Sequence, residues 1–280
     1  MQINTRLAAS DPGNAVWQHN LSISWDKLGM VRKAQGDLTG ALDAYKQCQT
    51  IRANLAAADP SNPDWQWDLS ISWDRLGEVR EAQGGLAGAL DAYTQSQIIR
   101  AKLAASDPGD VGWQHGLSIS WDELGGVRKA QGDLTGALDA YTQSQSITAG
   151  LAASDTSNAV WQHDLSIGWD KLGGVRVAQG DLAGALDAYT QSQTIRVHLA
   201  AADPDNARSQ RDLIVSHWKL ADLMEQMPER AGEAADHWAQ ALTIARALAD
   251  TGRLAPRDAH FVATLEQRLA AARAAGSPPP

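Results

Sequence analysis

Cysteine, phenylalanine and long apolar runs are all scarce in this 280-residue chain: Cys48 is its only cysteine and Phe261 its only phenylalanine. A lone thiol cannot close an intramolecular disulfide, so a secreted scaffold stapled by bridges is excluded and a reducing, cytoplasmic setting is expected. No uninterrupted apolar stretch reaches the roughly 18 residues of a membrane span. The opening MQINTRLAASDP also lacks the apolar core of a signal peptide, so no membrane partner is expected. Basic residues number 24 against 33 acidic ones, a net charge of -9, which argues against a surface built to neutralise phosphates and against a nucleic-acid partner. Strings of the type GxxxxGK followed by Ser or Thr, HExxH and GxSxG are missing, and LGGVRKAQG has too few correctly spaced glycines for a dinucleotide loop. The expectation is therefore a non-enzymatic protein with no cofactor and no metal.

Tryptophan, by contrast, is abundant, with eleven copies, and their positions are periodic. Trp17, Trp65, Trp113 and Trp161 advance by 48 residues, as do Trp25, Trp73, Trp121 and Trp169. The four tyrosines, Tyr45, Tyr93, Tyr141 and Tyr189, keep the same step, and so do the turns Asp11-Pro12, Asp59-Pro60, Asp107-Pro108, Asp155-Thr156 and Asp203-Pro204. Repeats are expected at 14–61, 62–109, 110–157 and 158–205, and the third and fourth differ at 15 of 48 positions. Units that similar must pack in nearly the same way, which excludes a single globular core.

Each unit reads as two helices. Trp17, Leu21, Trp25 and Leu28 recur at helical spacing, Asn14 stands as N-cap, and Pro63 in the second unit occupies a first-turn position where it costs nothing. Gly36 can end that helix in the left-handed conformation, and Asp37 can cap a second one carrying Leu38, Ala41, Leu42, Tyr45, Cys48 and Leu55 on one face. A WD-type propeller is the rival, since LSISWD resembles a blade strand and the period is close. After Asp26, however, KLGMVRKAQGDLTGALDAYKQCQ is made of helix formers and lacks the turn signals that four short strands require.

The set Trp25, Leu28-Gly29, Gln35-Gly36-Asp37, Ala41 and Tyr45 resembles the tetratricopeptide repeat, and it recurs in the three following units. The period exceeds that family's usual length, as in the long-helix relatives of the kinesin light chain type. The resemblance implies an all-α, right-handed α-solenoid of antiparallel helical hairpins, a tetratricopeptide superhelix. Gly29 and Ala41 are small where two helices cross, and Trp25, Leu28 and Tyr45 fill the space around them. Full burial of one such aromatic is worth about 4 to 6 kcal/mol before entropy. Arg32, Arg80, Arg128 and Arg176 stand where an aromatic is frequent, and the row Asp43, Asp91, Asp139 and Asp187 is their expected partner. Residues 206–250 read as a degenerate terminal hairpin, with His217 at the tryptophan position and Trp218 one place later. A capping helix is expected at 256–275 and a tail at 276–280. Residues 1–13 read as part of a second helix whose partner is missing, because Ile3 and Leu7 match Ile51 and Leu55. A fragment of a longer product, or a first hairpin that stacks on another molecule, is expected from that start.

Catalysis needs unlike groups converging on one atom, whereas identical ladders spread like groups along an array. His19, His115 and His163 share one phase at about helix-packing distance, too far apart for a common zinc, and are expected to face solvent. Cys48 replaces Ser96, Ser144 and Ser192 and is expected to be a small packed residue. In the resembling family the first helix of each unit lines the inner wall. That implies a wall of Ile23, Asp26, Lys27, Met30 and Lys33 in the first unit and of Ile71, Asp74, Arg75, Glu78 and Glu81 in the second. Ile119, Asp122, Glu123, Gly126 and Lys129 follow in the third, then Ile167, Asp170, Lys171, Gly174 and Val177 in the fourth. Its seven acidic and five basic members make it mildly acidic. A clamp for a C-terminal carboxylate is disfavoured by the aspartate ladder. A protein or peptide interleaving Lys or Arg with apolar side chains fits better. The expected role is a protein-interaction scaffold. The alternatives are a sensor or autoregulatory arm of a larger signalling enzyme, and a repeat that self-assembles end to end.

Overall fold

A computed structural model describes residues 2–275; the expected tail 276–280 lies outside the described residues. Among these residues the regular structure is all helix, with no strand. After α1 (Gln2–Ser10) come the hairpins α2 (Ala15–Ala34) with α3 (Leu38–Ala58) and α4 (Pro63–Ala82) with α5 (Leu86–Ser106). Next are α6 (Val111–Ala130) with α7 (Leu134–Ser154), α8 (Ala159–Gln179) with α9 (Leu182–Ala202), and α10 (Ala207–Met224) with α11 (Ala231–Asp250). A 3-10 turn at Pro256–Asp258 precedes α12 (Phe261–Ala275), so the final helix begins five residues later than Pro256. The chain forms two compact units, Met1–Ile147 and Thr148–Pro280.

The helix boundaries follow from local chemistry. Asn14, Asn62, Asp110, Asn158 and Asn206 each accept a backbone N–H of the first turn, satisfying donors that the helix cannot. Two residues into the repeat's first turn, Gln18, Gln66, Gln114, Gln162 and Gln210 donate back to the carbonyls of Ala8, Ala56, Ala104, Ala152 and Ala200, clasping each helix to the end of the one before. Each of the first four hairpin turns pivots on a glycine, Gly36, Gly84, Gly132 or Gly180, with φ between 78° and 82°.

Within a hairpin the contact is set by absent side chains. A Cβ on Gly29 would lie 2.4 Å from the Tyr45 ring, and Gly77, Gly125 and Gly173 meet Tyr93, Tyr141 and Tyr189 in the same way. The tyrosine is therefore the deepest aromatic of each hairpin, whereas Trp25, Trp73, Trp121 and Trp169 retain part of their surface. Trp73 and Trp121 close seams between hairpins of the first unit. In the first unit, Trp73 packs on a cluster of Ala41, Tyr45, Leu76, Val79 and Ala92, and Trp121 on Ala89, Tyr93, Leu124, Val127 and Ala140. Each cluster draws on three successive helices, so these parts of the first unit's core are seams between neighbouring hairpins.

The second unit ends differently. Trp218, displaced by one position, meets Trp238 edge-on at 5.4 Å and lies 5.9 Å from Phe261. Phe261, Leu265 and Leu269 recur every four residues on α12 and are buried against the last hairpin.

Candidate interaction face of the first helices

The expected wall residues lie on α2, α4, α6 and α8, but in three different environments. Lys27, Met30, Glu81, Ile119 and Lys129 are exposed. Ile23, Asp26, Lys33, Ile71, Arg75, Glu78, Asp122, Glu123, Ile167, Lys171 and Val177 are partly buried. Asp74 and Asp170 are only 6% and 8% exposed, which corrects their reading as charges open to a partner.

The physical reason is a row of buried arginines on the second helices, which the sequence reading missed. Arg100 is anchored by Nε to Ser70 Oγ (3.2 Å), by Nη1 to the Gly116 carbonyl (3.1 Å) and by Nη2 to the Asp74 carboxylate. Arg196 repeats the arrangement in the second unit, reaching Ser166, the Asp212 carbonyl and Asp170, the last at 2.7 Å. Arg52 bonds Ser22 and the Asp68 carbonyl. Each arginine thus ties its own hairpin to the first helix of the next. A buried carboxylate persists only with such pairing, because transfer from water costs several kcal/mol per ion. The signal was present: Arg52, Arg100 and Arg196 keep the 48-residue step, with Thr148 at the remaining position.

A cation from the following repeat approaches Asp26 and Asp170. Arg75 Nε lies 3.5 Å from Asp26, and Lys219 Nζ lies 2.8 Å from Asp170. At the equivalent place beside Asp74 stands Glu123. Burial, together with the neighbouring Asp74 carboxylate, pushes its carboxyl up to about 9. Asp74 Oδ1 and Glu123 Oε2 are buried with no donor, so a proton on Glu123 supplies what the missing cation would have supplied. Burial pushes the Asp74 carboxyl upward as well, against the opposing pull of Arg100, so the proton belongs to the Asp74–Glu123 pair. Nearby, Tyr93 donates to Glu81 at 3.1 Å, and Lys33 pairs with Glu78.

Two further expectations change. Arg32 does not reach Asp43; its Nη1 donates to the Gly40 carbonyl at 3.0 Å, and Arg80, Arg128 and Arg176 do the same to Gly88, Gly136 and Gly184. A Cβ on Gly40 would sit 2.9 Å from Arg32 Cδ, so the glycine makes room for the arm, while the Asp43, Asp91, Asp139 and Asp187 row is exposed. The histidines do not simply face solvent. His19 Nδ1 is 3.1 Å from Asp68 and its ring stacks near Trp65, and His163 Nε2 is 3.0 Å from Asp212. Among the described residues no group of three or more metal-ligating side chains occurs. Cys48 is buried, and burial pushes its thiol up to about 12, so it stays unionised at neutral pH. No described helix is long and apolar enough to cross a membrane.

No protein-family model and no curated protein matches the chain. Solved structures do. The chain is similar to BtubC (BKLC) from P. vanneervenii, at 17% identity and a TM-score of 0.61, over 100% of this chain and 89% of that one. It is similar to the nearly identical TPR-like repeats of a putative kinesin light chain from Podosopora anserina, at 20% identity and a TM-score of 0.62, over 84% of this chain and 98% of that one. The apo form of RapI follows at 11% identity and a TM-score of 0.52, over 91% of this chain and 84% of that one. The fold is an all-α, tetratricopeptide-like solenoid of helical hairpins.

Proposed function

We propose that the chain is a non-enzymatic interaction module that binds a protein or peptide along the exposed face of its first helices. One observation carries this reading. Buried arginines neutralise Asp74 and Asp170 from within, while Ile23, Ile71 and Ile119 remain at least partly open on the same face, beside the unburied charges of Lys27, Glu81 and Lys129. Packing leaves part of that apolar stripe uncovered, with Ile119 40% exposed. A partner that interleaves apolar side chains with Lys or Arg matches the isoleucines together with Glu81 and its neighbour Glu78. The test is capture by the intact chain against the exposed double variant Ile119→Asp, Glu81→Lys. The variant is expected to keep its helicity and melting and to lose the captured partner. Equal capture by both proteins rejects the face as the site.

End-to-end self-association is favoured by one separate feature: α1 leaves Ile3 74% and Leu7 37% exposed on one face. Light scattering against concentration decides it, and a strict monomer at high concentration rejects it.

A further inference from the structure

Within the second unit a cavity of about 580 Å³ lies among α8, the end of α9, the start of α10 and the segment that joins α11 to α12. In a chain of net charge -9, its lining gathers Arg196, Arg208, Arg211, Arg253 and Arg257. The only carboxylates among the lining residues are Asp212 and Asp258.

The arginines are not equally committed. Arg196 is consumed by the buried ladder, and Arg211 grips Asp258 with both arms of its fork, Nε at 2.7 Å and Nη2 at 3.1 Å. Arg253 reaches Asp205, an almost fully exposed partner. Arg208 forms no ion pair among the described residues; its Nη2 meets only the His163 ring, at 3.4 Å. Arg257 approaches Asp258 at 3.8 Å, but that carboxylate is already held by Arg211, and the Arg257 side chain is 76% exposed. Arg208 and Arg257 are thus cations at the cavity without a strong partner.

The repeat pattern shows that this charge is particular to the place. Arg208 stands where the four repeats carry Val16, Asp64, Gly112 and Val160, and Arg211 where they carry His19, Trp67, His115 and His163. Stacking of the hairpins does not require either arginine, since the preceding repeats pack without them. Ala207, the first residue of the 18-residue α10, also lines the cavity, so the positive end of that helix adds to the field. Hydrogen bonds donated to the Asp164 and Asp212 carboxylates push His163 up to about 9, which makes it a further cation at neutral pH, one already paired with those carboxylates. Ile167, Leu248 and Leu254 supply the apolar part of the lining.

We infer that this cavity is a binding site for a small organic phosphate of nucleotide size, its phosphates held by Arg208 and Arg257 and its organic body laid against Ile167, Leu248 and Leu254. The volume falls in the range of small-molecule sites and exceeds what one inorganic phosphate fills. Guanidinium groups match phosphate oxygens in pairs, and Arg208 and Arg257 are the cavity arginines that no carboxylate holds firmly.

The test is isothermal titration of the full chain at physiological salt with ATP, inorganic tripolyphosphate and adenosine, repeated on Arg208→Glu, Arg257→Glu. Both arginines lie at the surface, so the variant should keep its melting temperature, which is checked. Saturable ATP binding that weakens by at least about tenfold in the variant, with none for adenosine, is the expected result. Absence of saturable ATP binding, or binding unchanged in the variant, overturns the site. Tripolyphosphate binding as tightly as ATP overturns the role of the apolar lining. A hexaglutamate peptide that binds where ATP does not overturns the small-molecule assignment in favour of an acidic polypeptide.

Discussion

Glu123→Gln should make the protein more stable, and only above a definable pH. Glu123 occupies the place that a lysine or arginine fills beside Asp26 and Asp170, and it faces the Asp74 carboxylate within hydrogen-bonding reach. Burial first, and Asp74 second, raise its carboxyl from 4.5 to about 9. Between those values the folded protein holds a proton that the unfolded chain has released. Stability therefore declines as pH rises, by about 1.4 kcal/mol per unit. At pH 7 the loss relative to pH 4.5 is on the order of 3 kcal/mol. Glutamine keeps the shape, cannot titrate, and offers an N–H to Asp74. The variant should match the parent near pH 4.5 and exceed it by roughly 2 to 4 kcal/mol at pH 8. Because a repeat array opens locally, the assay is amide hydrogen exchange resolved over α4, α5 and α6, run at both pH values. A gain at pH 8 below about 0.5 kcal/mol, or an equal gain at pH 4.5, would refute the shared proton.

Two other outcomes are expected. Gly29→Ala places a methyl 2.4 Å from the Tyr45 ring in a seam with no slack, and should destabilise by about 1 to 3 kcal/mol despite alanine's better helix propensity; unchanged protection of α2 and α3 in hydrogen exchange would show that the tyrosine can move aside. The second unit should lose stability at both ends of the pH scale. Burial and the neighbouring His237 push His217 down to about 4, so stability is whole above 6.5 and falls by about 3 kcal/mol as pH drops to 4. His163, raised to about 9, contributes stability present below 6.5 that fades as pH climbs through 9. Burial also lowers His237, so His217→Asn should shrink the acid limb without touching the alkaline one in a pH series of exchange over α10 and α11, and an acid limb of undiminished size would reject the assignment.

Much of the array was legible because its rules are local. The 48-residue step of the tryptophans and tyrosines, the asparagine caps and the glycine turns each act within one or two helical turns. A reader of the string can therefore place the hairpins nearly to the residue. The small residues at Gly29 and Ala41 likewise announced a close crossing. Less legible was the division of labour among charges. Asp26, Asp74, Asp122 and Asp170 look alike in the string, and a ladder of aspartates reads as an acidic wall.

Whether such an aspartate faces a partner or an internal arginine depends on residues 26 positions later on another helix, as with Asp74 and Arg100, and that distance is closed only by packing. The cavity at the start of α10 is a stronger case, since it joins His163 and Arg211 to Arg257 and Asp258, which lie outside the repeats. Periodicity and capping settled, from the sequence alone, that the chain is a stack of paired helices, because those forces reach only as far as a neighbouring turn. Which charges are spent inside and which stay available was decided by tertiary structure, because desolvation and ion pairing act between side chains that only the folded chain brings within a few ångströms of one another.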